Sequence, residues 1–435
     1  MTELLPVLTL VGGLLFGLIT GFPMAFTLSS SAIVTAFFFF GSQTLPFIAT
    51  NVFGMMSSMV LIAMPLFILM ACLLEKSGVA EDLYAFMYQA LGPVRGGLSM
   101  GTVLICAIIA AMSGVSTTAV VTMGIIALPI MLKQGYHKSI AIGPILAGGA
   151  LGLLIPPSIS LIVYGMVARV SIGKLFAGGV VPGCLLVFSF LAYIAIRSFL
   201  QPEYAPALPK EERVSFKELI VLAKGLILPI GVVGAVLGTI FAGVASPTEA
   251  AAVGVAGALI SALINRRLNW AMLSEAAVRS MGITGMIMWI LFGAACFTSI
   301  FFRTGGQDLI SELLFGFKNP ALIFGFILVV LIVLGFFLDE ITQVMITVPV
   351  FLPIIVELGY DPVWFGVLFM TQVQMDYLTP PFGFTLFYMK GVAPPEVSMG
   401  DIYRSILPFV LIQLAVVIFI LLYPEIVMWL PNLLF

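Results

Sequence analysis

The chain has 435 residues, 61% of them hydrophobic and 9% charged, with a net charge of −2 and a mean hydropathy of +1.22. A soluble domain carries about 25% charged residues, so a water-facing globule is excluded. No nucleic-acid signature, phosphate-binding glycine loop or nucleophile–base pair is present, and the composition is that of an all-α polytopic membrane protein in a lipid bilayer.

The N-terminal MTELLPVLTL carries Glu3 and no basic residue, so it is expected to be a retained helix and not a cleaved signal. Spans are expected near 5–25, 27–47 and 53–75, followed by a connecting stretch to about 95. Two apolar arms, 96–112 and 119–132, flank SGVSTT (113–118) and read as a re-entrant hairpin over 96–132. An interrupted span follows (139–168), broken at LLIPPSIS (153–160), and then a last span near 175–196. The most polar stretch, RSFLQPEYAPALPKEERVSFKE (197–218), supplies a linker over 201–217, so residues 1–200 form one half and 218–435 the other.

The second half repeats the order: spans near 218–243, 247–265 and 280–302, a hairpin over 319–357, an interrupted span over 362–389 and a last span over 405–430. Its hairpin arms, 319–337 and 343–357, flank FFLDEIT (336–342), and its interrupted span is broken at YLTPPFGF (377–384). SPTEAAAVG (246–254) opens a helix, with Ser246 as cap, Pro247 in the first turn and Glu249 completing a capping box. Cys72, Cys106, Cys184 and Cys296 lie in apolar segments without metal-ligand spacing and read as packing residues.

The two proline pairs lie 224 residues apart, and LPIMLKQGYH (128–137) aligns with LPIIVELGYD (352–361) at the same offset. This is an internal duplication. With each pair of arms re-entrant, each half has five spanning segments, and an odd number inverts the second half relative to the first. With the N-terminus outside, only Arg169, Lys174, Arg303 and Lys318 of the 18 Lys and Arg residues fall outside, which satisfies the positive-inside rule. Both termini are then periplasmic.

Four polar interruptions remain at membrane depth. Unsatisfied backbone at such a break is tolerated only in protein or beside a hydrated cavity. Paired interruptions in two inverted halves point to a transporter's binding site. A broken helix offers amides to anions at one end and carbonyls to cations at the other. Ser113, Ser116, Thr117 and Thr118 add small hydroxyls suited to a hard cation such as sodium, although small residues also serve to pack membrane helices. Asp339 and Asp376 could ligate a cation or carry a proton, and Glu340 lies either at a wet hairpin mouth or in the site. Arg303 and Lys318 read as snorkelling side chains.

GVASPTEAAAVGV (243–255), SGVSTTAV (113–120), GALGLLIPPSISLIVYG (149–165), LDEIT (338–342) and LTPPFGFTLF (378–387) together resemble the large membrane subunit of tripartite ATP-independent periplasmic (TRAP) transporters, the DctM-like family. The resemblance covers nearly the whole chain. It implies an elevator-type secondary transporter in a bacterial inner membrane, importing a small organic acid with Na+ as coupling ion and no other cofactor. It also implies a periplasmic substrate-binding protein and a small four-helix membrane subunit, expected here as a separate polypeptide. Carried over by motif, Ser113, Gly114 and Ser116 match the first sodium-binding tip and Asp339 the acidic position of the second, with Thr379 beside it. Thr117, Thr118, Ser158, Gly383 and Thr385 are the expected substrate contacts. Glu340 departs from the family pattern, which has a less charged neighbour there. A stand-alone sodium- or proton-coupled permease would use the same chemistry; an intramembrane enzyme built on Asp339 and Asp376, or a channel, fits the duplicated breaks less well.

Overall fold

A charge-free apolar stretch in a bilayer satisfies its backbone amides and carbonyls by pairing them within a helix. In the computed structural model the described residues, 4–380 and 383–435, form twenty α-helices with short connections and no strand. Glu3, and Pro381 and Phe382 of the second proline stretch, lie outside the described residues.

The first half comprises α1 (Leu4–Thr20), α2 (Met24–Phe40), α3 (Leu45–Met56), α4 (Ala63–Lys76) and α5 (Val79–Leu91). The first hairpin follows as α6 (Gly97–Ser113) and α7 (Ser116–Lys133), then the interrupted pair α8 (Lys138–Ala150) and α9 (Ile159–Ala168), and α10 (Ile172–Leu200). The second half begins with α11 (Phe216–Phe241), α12 (Pro247–Ile264), α13 (Trp270–Arg303) and α14 (Gly306–Phe315). Its hairpin is α15 (Pro320–Gly335) and α16 (Glu340–Glu357), its interrupted pair α17 (Pro362–Leu378) and α18 (Phe384–Val392), and it closes with α19 (Met399–Leu422) and α20 (Glu425–Leu434). Among the described residues eight helical segments are long and apolar enough to cross a membrane. Large apolar side chains such as Phe16, Ile19, Phe38 and Phe199 point outward, a surface suited to lipid and not to water.

Several boundaries differ from the sequence reading. The span expected over 27–47 ends at Phe40, because Gly41 turns the chain with φ +74°. The third span is divided into α3 and α4 at Ser57, whose hydroxyl donates to Phe53 O (2.8 Å) and competes with the helical ladder. The last span divides at Pro424, which lacks an N–H and disfavours helix at Tyr423. The linker is not a free loop: His137 N donates to Tyr204 O (2.8 Å), Gly96 N to Ala205 O (3.1 Å) and Leu208 N to Gly92 O (2.8 Å), pinning it to the base of the first hairpin. At α12 the expected capping box forms between Ser246 and Glu249, with Pro247 in the first turn.

Two exchanges of partner organise the packing. The second helix of each half lies on the third span of the other: α2 on α13, and α12 on α4. The second arm of each hairpin likewise packs on the other half's second half-helix, α7 on α18 and α16 on α9. Small residues permit the approach. A Cβ on Gly293 of α13 would press on the Ala25 backbone of α2, and one on Gly254 of α12 would meet Met70 of α4. Ion pairs Lys76–Glu275 and Arg279–Glu75, both 2.6 Å, tie the end of α4 to the first turns of α13.

Because the Gly293 contact is with backbone, a side chain there cannot be absorbed by a rotamer change. Gly293→Val is expected to destabilise the protein by about 1–3 kcal/mol, read as a lower Tm in detergent.

Candidate functional site

The tip of the first hairpin is set by one residue. Gly114 ends α6 in the left-handed region (φ +61°), where a Cβ would lie 2.7 Å from Pro157 O and 3.1 Å from Ile159 N. The hairpin tip therefore rests directly on the break between α8 and α9. From the other side, a Cβ on Gly152 would stand 3.1 Å from Ser116 N, so the tip is clamped between two small surfaces. Ser158 closes the break: its Oγ donates to Leu153 O (2.7 Å) and accepts from Leu161 N (3.4 Å), capping α9.

The second tip is built differently. Asp339 caps α16, with Oδ1 accepting from Ile341 N (3.1 Å) and Thr342 N (3.0 Å) and Oδ2 accepting from the Thr342 hydroxyl (2.6 Å). Across the break between α17 and α18, Thr385 Oγ1 donates to Tyr377 O (2.7 Å) and Gly383 N donates to Thr379 O (3.1 Å). Thr379 Oγ1 donates to Met375 O (2.6 Å). Tyr377 joins tip to break, its hydroxyl accepting from Glu340 N (3.3 Å).

These parts surround a cavity of about 510 Å3. Four helices present their N-terminal ends to it: α7 through Val115 and Thr117, α9 through Ile159, α16 through Asp339–Ile341 and α18 through Phe384. The facing wall comes from Pro23–Phe26 at the start of α2 and from Ile283–Ile290 in the middle of α13. The volume lies in the range of small-molecule sites. Unpaired N–H groups and the helix dipole make each N-terminus attractive to negative charge. Among the described residues Asp339 and Glu340 are the charged residues of the lining, and no Lys, Arg or His joins them.

Of the residues expected from the sequence, Gly114, Thr117 and Asp339 line this cavity, and Glu340 does so as well. Ser116 is buried just behind the tip. Ser113 and Thr118 face a gap of about 20 Å3 against Leu74 and Glu75 on α4. Ser158 and Thr385 spend their hydroxyls on bridging the breaks and Thr379 on Met375 O of its own helix, and with Gly383 they are not among the lining residues. Asp376 is buried outside the cavity, where Gln372 Nε2 donates to its Oδ2 (3.0 Å) and a Cβ on Gly335 would collide with the carboxylate. Arg303 stacks on Phe40 and Phe47, 5.2 and 5.5 Å from the ring centroids, far along α13 from the cavity-lining stretch. Among the described residues no group of three His, Cys, Asp or Glu could hold a metal ion, so ligands for an alkali cation would be hydroxyls, carbonyls and single carboxylates.

The sequence reading missed Tyr377, Phe384 and Tyr388 on the second broken helix and Trp289 on α13. The first two open and close the stretch YLTPPFGF and carried a signal; Trp289 sits in a uniformly apolar helix with none.

A family model described as tripartite ATP-independent periplasmic transporter, DctM component, matches residues 11–426. The chain belongs to this DctM family. It is 32% identical to the C4-dicarboxylate TRAP transporter large permease protein DctM of Pseudomonas aeruginosa, over 90% of this chain and 91% of that protein. It is 30% identical to the isethionate TRAP transporter permease protein DctMQ of Oleidesulfovibrio alaskensis, over 98% of this chain and 66% of that protein. Other DctM relatives are named for ectoine and for sialic acid. Among solved structures, the YdaH transporter of Alcanivorax borkumensis is similar in fold, with a TM-score of 0.64 and 15% identity over 90% of each chain. The chain is thus a TRAP large permease, a multi-pass membrane protein of a transporter family and not an enzyme.

The clamp on the first tip of this DctM chain has a direct consequence. Gly114→Ala is expected to abolish substrate uptake in proteoliposomes bearing the assembled transporter, since it combines backbone strain with a collision at Pro157 O. Gly12→Ala, where a Cβ meets nothing within 4 Å, is expected to leave uptake unchanged.

Proposed function

We propose that this permease imports a small organic acid by sodium-coupled secondary transport, moving it by an elevator mechanism in a bacterial inner membrane. The observation that carries the reading is the convergence of four helix N-termini, from both hairpins and both broken helices, on one cavity. Such ends can hold an acid group without a buried basic side chain.

The crossed packing of α2 with α13 and of α12 with α4 supports two inverted repeats sharing one scaffold. The reciprocal contacts of α7 with α18 and of α16 with α9 support hairpins and broken helices that travel together as the moving body. In this reading one face of the cavity belongs to the scaffold and the other to that body. Each half has five spanning segments and one re-entrant hairpin, and both termini are periplasmic.

Sodium would bind at the two tips, at Ser113, Gly114 and Ser116 in one and at Asp339 and Thr379 in the other. Each sodium moving inward across 100 mV supplies about 2.3 kcal/mol, which drives accumulation without ATP. The substrate would be delivered by a periplasmic binding protein. A small four-helix membrane subunit would complete the scaffold as a separate polypeptide. The DctMQ relative, matched over 66% of its length, marks the alternative of one longer polypeptide.

A ligand that binds only the folded state stabilises it by mass action. Sodium chloride is expected to raise the Tm of the purified protein above its value in lithium, potassium or choline chloride at equal ionic strength. Ser116→Ala and Asp339→Asn are expected to remove that increment; asparagine caps a helix as well as aspartate does, so the second variant isolates the charge. Equal melting in all four salts counts against sodium at the tips.

A further inference from the structure

Taking the cavity as the substrate site, as proposed above, the charge of its side chains is opposite to that of the helix ends that would hold an acid group. Among the described residues the cavity is lined by Asp339 and Glu340 and by no basic side chain. The two carboxylates are not equivalent. Both oxygens of Asp339 accept hydrogen bonds from the first turn of α16, so its charge is answered by that helix end. Beyond its own backbone N–H, which also donates to the Tyr377 hydroxyl, the carboxylate of Glu340 has no hydrogen-bond or ion-pair partner among the described residues. A half-buried carboxylate in a largely apolar cavity is costly unless something positive meets it.

The rings beside it suit that role. On the scaffold wall Phe26 and Trp289 stand 5.9 Å apart, and on the facing wall Tyr377 and Phe384 stand 5.3 Å apart. Aromatic faces attract alkylated ammonium and other weakly hydrated cations, Trp and Tyr most strongly. Sodium does not explain them, because a hard cation takes oxygen ligands and gains little from rings. An apolar substrate tail would use the rings and leave Glu340 uncompensated. The N-termini of α7, α9 and α18 remain for an acid group.

We infer that the substrate of this permease is a zwitterion, with an alkylated or charge-delocalised cationic centre held by Glu340 and the two aromatic pairs and an acid group facing the helix N-termini.

The test uses an isosteric pair, glycine betaine and 3,3-dimethylbutanoate, which differ by one nitrogen for carbon and therefore by one positive charge. Each is titrated against the purified protein in saturating sodium, with Tm as readout. Betaine is expected to half-saturate at a concentration lower by about tenfold or more. Glu340→Gln is expected to erase most of that difference by weakening betaine and not its isostere. If Glu340→Gln does not fold, Trp289→Leu carries the test, with the same selective loss of betaine expected. The inference is overturned if betaine gives no stabilisation, if the isostere binds as well or better, or if the preference survives both substitutions. Melting with and without sodium in the absence of either probe reports the ion reading separately. A retained sodium increment without betaine preference sinks the zwitterion alone; betaine preference without a sodium increment sinks the coupling alone.

Discussion

In a medium without water, each backbone amide and carbonyl must find a partner within the protein, and the arrangement of this permease follows from that requirement. Most of the chain meets it with uninterrupted helix. Where helix is broken, between α8 and α9 and between α17 and α18, the chain supplies substitutes from its own side chains: Ser158 bridges the first break and Thr385 the second. These hydroxyls are therefore structural members of the site, and they free the neighbouring helix ends to face the cavity.

The breaks are useful only because the hairpin tips reach them. Gly114 lets the first tip lie against Pro157 and Ile159, and the Glu340–Tyr377 hydrogen bond holds the second tip to its break. The exchange of partners between halves, α7 with α18 and α16 with α9, brings both assemblies to one place. A substrate bound there touches both tips and both breaks. Any change in its occupancy would be felt by all four elements, which is what the proposed sodium coupling requires.

The electrostatics of the cavity is a balance between backbone and side chain. Four positive helix ends converge, and two carboxylates partly answer them. Asp339 completes its own helix cap, whereas the Glu340 carboxylate meets only its own backbone N–H and faces the cavity. Asp376 shows the same economy in another setting: it is buried behind the second hairpin, held by Gln372, in the space that Gly335 leaves by having no side chain.

The membrane class and the four interruptions were legible in the residues, because apolar length and helix-breaking residues are local properties of a sequence. So was the capping box at Ser246, since a cap depends on residues within one turn. The kinks at Ser57 and Pro424 were local too, but were hidden inside runs whose average hydropathy is high. Which side of a uniformly apolar helix faces the cavity was not legible, because hydrophobic periodicity vanishes when both core and solvent are apolar; hence Trp289 and the Ile283–Ile290 stretch were invisible. Nor could residue type separate Thr117, which lines the cavity, from Thr118, which faces α4. That choice, and the division of labour between Asp339, Glu340 and Asp376, was made only by tertiary packing, which decides how far each polar group stands from a partner of its own.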